Sequence, residues 1–416
     1  MGECRSDRLA GPPCARCPSR RAAVTAPGGP AVPVRRAPDH RPVQDPSERP
    51  PVNAAPLTYS PLDRQAFDAV AAAHPAVLIP LEQTPDWVDF ERALGRTPLG
   101  IWAYRDAEGT LVATASYVHV VRRFRESVVV VNGPVWYAER TPAAERLLLE
   151  TVRRQFSDHP TVHPLYVRLQ VATLQAPATD PIEHGWYERE IVVDLTPSEA
   201  DLLKSFRPNA RNSIRRAQRN GIEIKHIPRE EWSRVFASEL YPIMRETAER
   251  DGFQSFDSSY YETLLAVLGD HLRLLVAYRA GQPLSWLITT EYRGYAVYYF
   301  AGSTQMARST FAPYLLLWEA FRTLKAAGNT ACGLTGIESE NYPSLANVTT
   351  FKRNFSKNVV VVPTTYDVPL DARRYAVVAS LLAARRNGPA AVRQAAGRLR
   401  AAAGHARGRG RTSTRT

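Results

Sequence analysis

The stretch Leu284–Lys352, LSWLITTEYRGYAVYYFAGSTQMARSTFAPYLLLWEAFRTLKAAGNTACGLTGIESENYPSLANVTTFK, decides the fold. It opens on two apolar runs, Leu284–Thr290 and Tyr295–Phe300, joined by Tyr292-Arg293-Gly294. Two short apolar runs around a Gly-containing connector predict a β-hairpin. Ala301-Gly302-Ser303 is expected to break the second strand. A helical pattern follows, with Pro313 suited to the first turn, where its missing N–H has no partner in any case. Leu316, Phe321 and Leu324 mark one apolar face, and Leu315, Leu317, Trp318 and Ala320 widen it. A helix so patterned is buried on more than one side. Lys325 in its last turn and Gly328 beyond it are stop signals. A short strand, Thr330–Leu334, ends in Thr335-Gly336, and a polar loop then delivers Phe351-Lys352-Arg353.

Upstream, the same order is met once before. Gly100–Tyr104, Leu111–Val121 and Ser127–Val131 read as strands, and Asn132-Gly133-Pro134 breaks the last of them. Thr141–Phe156 is a helix with Thr141 as cap and Pro142 at its first position. Tyr166–Val171 is the next strand. Gly133-Pro134 stands where Gly302-Ser303 stands later, and the helix 142–156 where the helix 313–327 stands. The pattern implies a tandem repeat of one α/β unit, with two sheets side by side. Ahead of it, Pro61–Ala73 and Pro85–Ala93 suit helices and Val77–Leu81 a short strand. Between the halves, Ile191–Val193 is extended, and Ser198-Glu199-Ala200-Asp201 forms a capping box. Helices over Asn209–Asn220, Glu231–Thr247 and Ser258–Leu268 and strands over Ile222–Ile227 and Leu272–Tyr278 lead into the opening stretch. Val359–Val362 is the last expected strand and Asp371–Ala384 a terminal helix.

Composition bounds what this framework can do. The 416 residues are 44% hydrophobic, enough for two cored domains. No run approaches the length of a membrane span and no secretory signal is evident, so the expected compartment is cytoplasmic, with room for peripheral contact with a membrane surface. The net charge of +12 belongs to the ends: residues 1–55 carry +4, residues 382–416 carry +9, and the remainder is close to neutral. The expected division is a Pro/Arg-rich disordered extension over 1–56, a first unit over 57–190, a second over 191–386, and a basic disordered tail over 387–416. That tail fits either polyanion binding or a solvated end. Four cysteines make no disulfide framework, and Cys14-x-x-Cys17 lacks the further ligands of a zinc site, so no metal is expected.

Arg207, Arg211, Arg215 and Arg219 recur every four residues, with Arg216 at the flank. On a helix they form one cationic stripe, displaced at Arg207 by Pro208. A solvated face and a phosphate-contacting face, for tRNA or a nucleotide-linked substrate, are both consistent with that spacing.

Taken together, Arg207–Gly221 (RPNARNSIRRAQRNG), Arg250–Phe253 (RDGF), Tyr298–Ser303 (YYFAGS), Pro313–Gly328 and Phe351-Lys352 resemble the Fem-type, tRNA-dependent aminoacyltransferases of peptidoglycan bridge formation. The resemblance covers roughly 60–370 and is clearest in the second half. It implies an α/β (α+β) fold of two tandem GNAT-like acyltransferase units, each a mixed central sheet flanked by helices. A GNAT-type unit splays two strands and holds an acyl group between them. The resemblance further implies an aminoacyl-tRNA donor, an amine-bearing acceptor, whether a cell-wall precursor peptide or a small metabolite, and no cofactor. It places Lys352 at the reaction centre, where a cation steadies a developing oxyanion. Phe351 would wall the pocket, Arg250 and the more distant Arg308 would hold a substrate phosphate, and Tyr299 would orient the acceptor. One departure stands out. The family's strand before the Phe-Lys motif usually carries an Asp near paired glycines, whereas here Cys332-Gly333-Leu334-Thr335-Gly336 has no carboxylate.

Two other readings compete. An acyl-CoA-dependent N-acyltransferase needs a Gly-rich turn at a helix N-terminus to cradle pyrophosphate. Arg308-Ser309-Thr310-Phe311-Ala312-Pro313 has no Gly, and its Pro removes an N–H. A non-catalytic RNA-binding protein on the same fold would use only the basic tails and stripe. No P-loop, dinucleotide fingerprint or Gly-x-Ser-x-Gly elbow is present.

Overall fold

The computed structural model describes residues 55–122, 125–183 and 187–384. The extension up to residue 54, with Cys14 and Cys17, and the tail 387–416 lie outside the described residues. Within them the chain forms two seven-stranded mixed sheets. The first unit contributes β1 (Thr58–Leu62), β2 (Thr97–Arg105), β3 (Leu111–Arg122), β4 (Arg125–Val129), β5 (Val135–Trp136) and β6 (Tyr166–Val171). The connector supplies β7 (Arg189–Asp194). The second unit contributes β8 (Glu223–His226), β9 (Leu272–Arg279), β10 (Gln282–Tyr292), β11 (Tyr295–Ser303) and β12 (Ala331–Gly336). Two short strands follow, β13 (Val359–Val361) and β14 (Thr364–Pro369).

The sheets run β1-β2-β3-β4-β6-β14, with β5 beside β3, and β13-β7-β12-β11-β10-β9-β8. They match strand for strand. In each, a meander of antiparallel strands leads to one parallel pair, β4 with β6 or β11 with β12, crossed by a helix. Those helices are Pro142–Ser157 and Ala312–Ala326. An antiparallel crossover of this length between parallel neighbours is what the sheet geometry requires. The antiparallel strand flanking each parallel pair is exchanged: β7 follows the first unit but pairs with β12, and β14 follows the second but pairs with β6. The segment 191–386 expected to form the second unit thus lends a strand to the first sheet. Asp367 on β14 is fully buried and secures the exchange: it accepts both Arg168 nitrogens at 2.7 and 2.9 Å, the Ile182 amide at 2.9 Å and the Tyr375 hydroxyl at 2.9 Å.

Local chemistry accounts for most element ends. Thr141 Oγ1 accepts the Ala144 amide at 3.1 Å ahead of Pro142, and Thr84 accepts that of Trp87 at 3.3 Å ahead of Pro85. Ser198 accepts the Asp201 amide at 3.2 Å. The helix Ala312–Ala326 buries Leu315, Leu316, Leu317, Trp318, Ala320, Phe321 and Leu324, the wide apolar face expected of it. It packs with Ile214 and Ala217 of the helix Pro208–Arg219 on one face of the second sheet. Phe236, Tyr261, Leu264, Trp286 and Phe300 fill the other face. Leu148, Val152 and Phe156 pack on Tyr117, Val128 and Val167 in the first unit.

The cores interlock. Trp87 and Phe90 of the first unit join the second unit's cluster, with Phe90 at 5.5 Å from Tyr260 and Trp87 at 6.2 Å from Tyr299. In return, Arg293 at the β10–β11 tip donates to Ala71 and His74 carbonyls.

Four local expectations are corrected. Ala301-Gly302-Ser303 does not break β11, which runs to Ser303; Gly302 is needed because a Cβ there would sit 2.5 Å from the Trp286 indole nitrogen. Val77–Leu81 is not a strand; a 3-10 turn forms at Leu81–Gln83. Phe351-Lys352 is delivered by a helix, Ala346–Lys352, rather than a loop. Lastly, β14 is an additional strand beyond β13.

Candidate active site

The parallel pairing of β11 and β12 lasts three residues: Tyr295 with Ala331, Ala296 with Cys332, Val297 with Gly333. Beyond that point β11 follows β10 to Ser303, while β12 follows β7 to Gly336. The two strands part, leaving a cleft whose floor is Val297 and Gly333. The β12–β7 ladder is irregular between Gly333 and Gly336, and Thr335 lies at φ 60°. A β-branched residue in the left-handed region is strained, and such strain gathers at functional positions.

Lys352 is brought to this point by the helix Ala346–Lys352. Thr349 Oγ1 accepts the Glu338 amide at 2.7 Å, tying the helix to the chain leaving β12. The Lys352 side chain is 7% exposed. Its Nζ donates to the Gly336 carbonyl at 2.6 Å and to Thr335 Oγ1 at 3.0 Å, so the ammonium is held by uncharged oxygens at the end of β12. Burial brings its pKa down from 10.5 to about 7, against the opposing pull of the Glu190 charge.

Glu190 was not legible as a site residue in the sequence. It lies on β7 opposite Gly336, and a Cβ on Gly333 would come 3.4 Å from its Oε2 and 2.7 Å from the Tyr295 hydroxyl. Tyr295 donates to Glu190 Oε1 at 3.4 Å. Strand β12 lacks the family's carboxylate, and the neighbouring strand β7 puts one over the same glycine. Burial raises the Glu190 pKa, against the Tyr295 hydrogen bond and the Lys352 charge, with the Glu82 charge adding to the rise.

Glu82, from the turn before the helix Pro85–Ala93 of the first unit, is also buried. It is hydrogen-bonded by Asn132 and Tyr299, and burial raises its pKa. Tyr187 packs flat on Gly336, where a Cβ would sit 2.5 Å from its own Cβ, and feels both Glu190 and Glu82. Tyr187, Tyr299 and Asn132 line a cavity of about 170 Å³ between the units, with Trp87, Tyr260 and Val130. The row Lys352–Glu190–Tyr187–Glu82–Tyr299 therefore runs from the strand mouth to that cavity.

The other expected site residues fall into two groups. Arg250 donates to the Ser303 carbonyl at the end of β11, to Ser303 Oγ at 3.3 Å and to Asp251 at 2.8 Å. Arg308 reaches the same Asp251 at 3.0 Å, so both cations meet at the end of β11 around one carboxylate. Phe351 is half-buried against Tyr314 and Phe355, at 5.0 and 5.2 Å between ring centres.

The stripe is only partly free. Arg207 caps the helix Pro208–Arg219, is exposed, and its amide donates to the Asn354 carbonyl at 2.9 Å. Arg211 folds back onto the carbonyls of Lys204 and Phe206. Arg216 lies 4.2 Å over the Phe311 ring. Arg215, touching only Asn212 at 3.4 Å, and Arg219 face outward.

A model of the FemAB family matches residues 172–280 and 279–382, just over half of the chain. This chain belongs to the FemAB family. Among related proteins, the UDP-N-acetylmuramoylpentapeptide-lysine N(6)-alanyltransferase of Weissella viridescens is 29% identical over 171 residues, 40% of this chain and 49% of that protein. The chain thus aligns with about half the length of that curated relative. The crystal structure of FemX superposes with a TM-score of 0.62 at 13% identity, over 77% of this chain and 100% of that one, and shares the tandem GNAT-like fold. For a FemAB protein, the parted β11–β12 pair with Lys352 at its mouth is the place where a reacting group would sit. Among the described residues no helix is long and apolar enough to cross a membrane, and no group of His, Cys, Asp and Glu is arranged to hold a metal.

Proposed function

We propose that this protein is an aminoacyltransferase. It moves an amino acid from aminoacyl-tRNA to an amine on a peptidoglycan precursor peptide, forming an amide with no covalent enzyme intermediate. The observation that carries the reading is the buried Lys352 ammonium at the opening of β11 and β12. An ester carbonyl seated in that cleft develops negative charge as an amine attacks, and a preorganised donor in a dry site stabilises that charge most. The ester is already activated, so no enzyme nucleophile is required. The outward Arg215 and Arg219, with Arg207 beside Asn354 at the Phe351 end, supply a cationic path for the tRNA phosphates. The amine acceptor is suggested by the Weissella relative, named for alanine transfer to a lysine N6.

An acyl-CoA donor is disfavoured by the geometry at the helix Ala312–Ala326. Phe311, at φ 63°, joins its first turn directly to the helix Gln305–Thr310, and Pro313 removes one of the N–H groups a pyrophosphate would use.

The test is incubation with labelled alanyl-tRNA or acetyl-CoA and a muramoyl-pentapeptide or a small diamine as acceptor. Amide formation from the aminoacyl-tRNA is expected. Transfer from acetyl-CoA alone, or tRNA binding with no turnover for any acceptor, would refute the reading.

A further inference from the structure

We infer that Glu190 is the group that takes the proton from the incoming amine, with Glu82 of the first unit completing an acceptor-side seat for an ammonium group. This deepens, and rests on, the acyl-transfer reading above.

Three placements support it. First, the Glu190 carboxylate lies over Gly333, the last residue before β11 and β12 part, and across β7 from Gly336, whose carbonyl holds Lys352. Carboxylate and ammonium therefore flank the same few residues of the mouth, one on each side of the position an ester carbonyl would take. Second, Glu190 and Glu82 are buried acids with hydroxyl and amide partners, from Tyr295 for one and from Tyr299 and Asn132 for the other. Neither forms an ion pair among the described residues. Two such carboxyls facing one space disfavour each other's charge, and an ammonium entering between them relieves that cost. Third, Tyr187, Tyr299, Trp87 and Tyr260 line the adjoining cavity, and aromatic walls beside carboxylates suit a primary ammonium on an apolar stem. The cavity leads an acceptor towards Lys352 from the side opposite the outward-facing arginines.

The chemistry balances. The acceptor enters as R–NH3+, and Glu190 takes one proton, which leaves to solvent. The freed nitrogen pair forms the C–N bond at the ester carbonyl, and the carbonyl π pair moves onto oxygen beside Lys352. On collapse the C–O bond to the ribose breaks, and a second proton from nitrogen passes through the Glu190 carboxyl to the ribose oxygen. The products are an amide, a free ribose hydroxyl and one released proton. A carboxyl whose pKa is raised by burial is better matched to this task than an ordinary one. The charged and titratable groups around Glu190 are Tyr295 on β11, Cys332 on β12, Lys352, Tyr187 and Glu82.

The test is Glu190→Gln, which copies the neutral acid that burial favours and so should keep the fold. With the full-length protein, alanyl-tRNA and a lysine-bearing acceptor, kcat is expected to fall by at least about 100-fold with the donor KM unchanged. Residual activity should climb steadily with pH, as the acceptor loses its proton unaided, while the unaltered protein levels off. Glu190→Asp should recover part of kcat, and it carries the test if the Gln variant does not fold. A Gln or Asp variant with activity within threefold of normal and the same pH profile would overturn the assignment. Absence of transfer by the unaltered protein would overturn the acyl-transfer reading itself, and this inference with it.

Discussion

The two parallel strand pairs of this molecule have the same topology and opposite states. In the second unit, β11 and β12 separate after Val297 and Gly333. In the first, β4 and β6 stay zipped: after Val129 and Arg168, the Val130 amide still donates to Arg168 at 2.8 Å and the Gln170 amide to the Gly133 carbonyl at 2.9 Å. Gln83 helps to close it. Its Nε2 reaches the Val131 carbonyl at 2.5 Å, and its Oε1 accepts the Ser116 amide at 2.9 Å. Gly133 leaves room for that amide, since a Cβ there would lie 2.5 Å from Gln83 Cδ. One side chain fills in the first unit the kind of space that Lys352, Glu190 and Tyr295 border in the second. The topology supplies the slot, and the residues at its mouth decide whether it is open. The first unit then serves as a wall, contributing Glu82, Asn132 and Trp87 to the shared cavity.

The sharpest way to break this contrast is at Lys352. Lys352→Met should lower transfer by at least about 100-fold, the scale of losing one oxyanion donor. The fold should persist and gain stability. A lysine whose folded pKa of about 7 lies below its ordinary 10.5 disfavours the native state at neutral pH. The unfolded chain binds more protons between those values, so this group's destabilisation is greatest below pH 7 and fades as pH rises towards 10.5. The Tm advantage of the Met variant should therefore be largest near pH 7 and shrink by pH 10. A Met variant that unfolds, or keeps full activity, removes Lys352 from the chemistry.

The comparison also says something about what a sequence discloses. The hairpin, the buried crossover helix and the repeat were legible because they rest on local periodicity and caps: Leu316, Phe321 and Leu324 on one face, Thr141 before Pro142. The helix Ala346–Lys352 was not, because Ala-Asn-Val-Thr-Thr is polar, β-branched and without a side-chain cap. Strand β14 was hidden because Thr-Thr-Tyr-Asp-Val-Pro holds its buried acid for a partner, Arg168, far back in the chain. Glu82 and Glu190 looked like surface acids, and only the meeting of the two units gives them their setting. The arginine spacing was right in period. Arg211 and Arg216 nevertheless turn to local carbonyls and to Phe311, which no spacing rule reveals.

A subtler test addresses the first unit. Gln83→Ala should leave the Ser116 amide and the Val131 carbonyl without their partner and cost about 1–3 kcal/mol of stability by denaturant titration. Transfer should stay close to normal once the protein is folded. A large loss of turnover would mean that the closed slot, too, takes part in the reaction.

The smallest effect is expected on the stripe. Arg215→Ala with Arg219→Ala should weaken tRNA binding several-fold and reduce the slope of log affinity against log salt by about 2. Arg211→Ala should act instead on stability, through the carbonyls it caps. Unchanged affinity and slope in the double variant would leave the outward arginines as a solvated face.

The most direct test of the whole account is a crystal structure with a short RNA hairpin ending in a 3′-amide-linked alanine, a stable copy of the aminoacyl end. The account predicts the alanyl carbonyl between β11 and β12, with its oxygen within hydrogen-bonding distance of Lys352 Nζ and its carbon open to the Glu190 side. An alanyl group bound elsewhere, or a cleft that stays empty under saturating RNA, would contradict it.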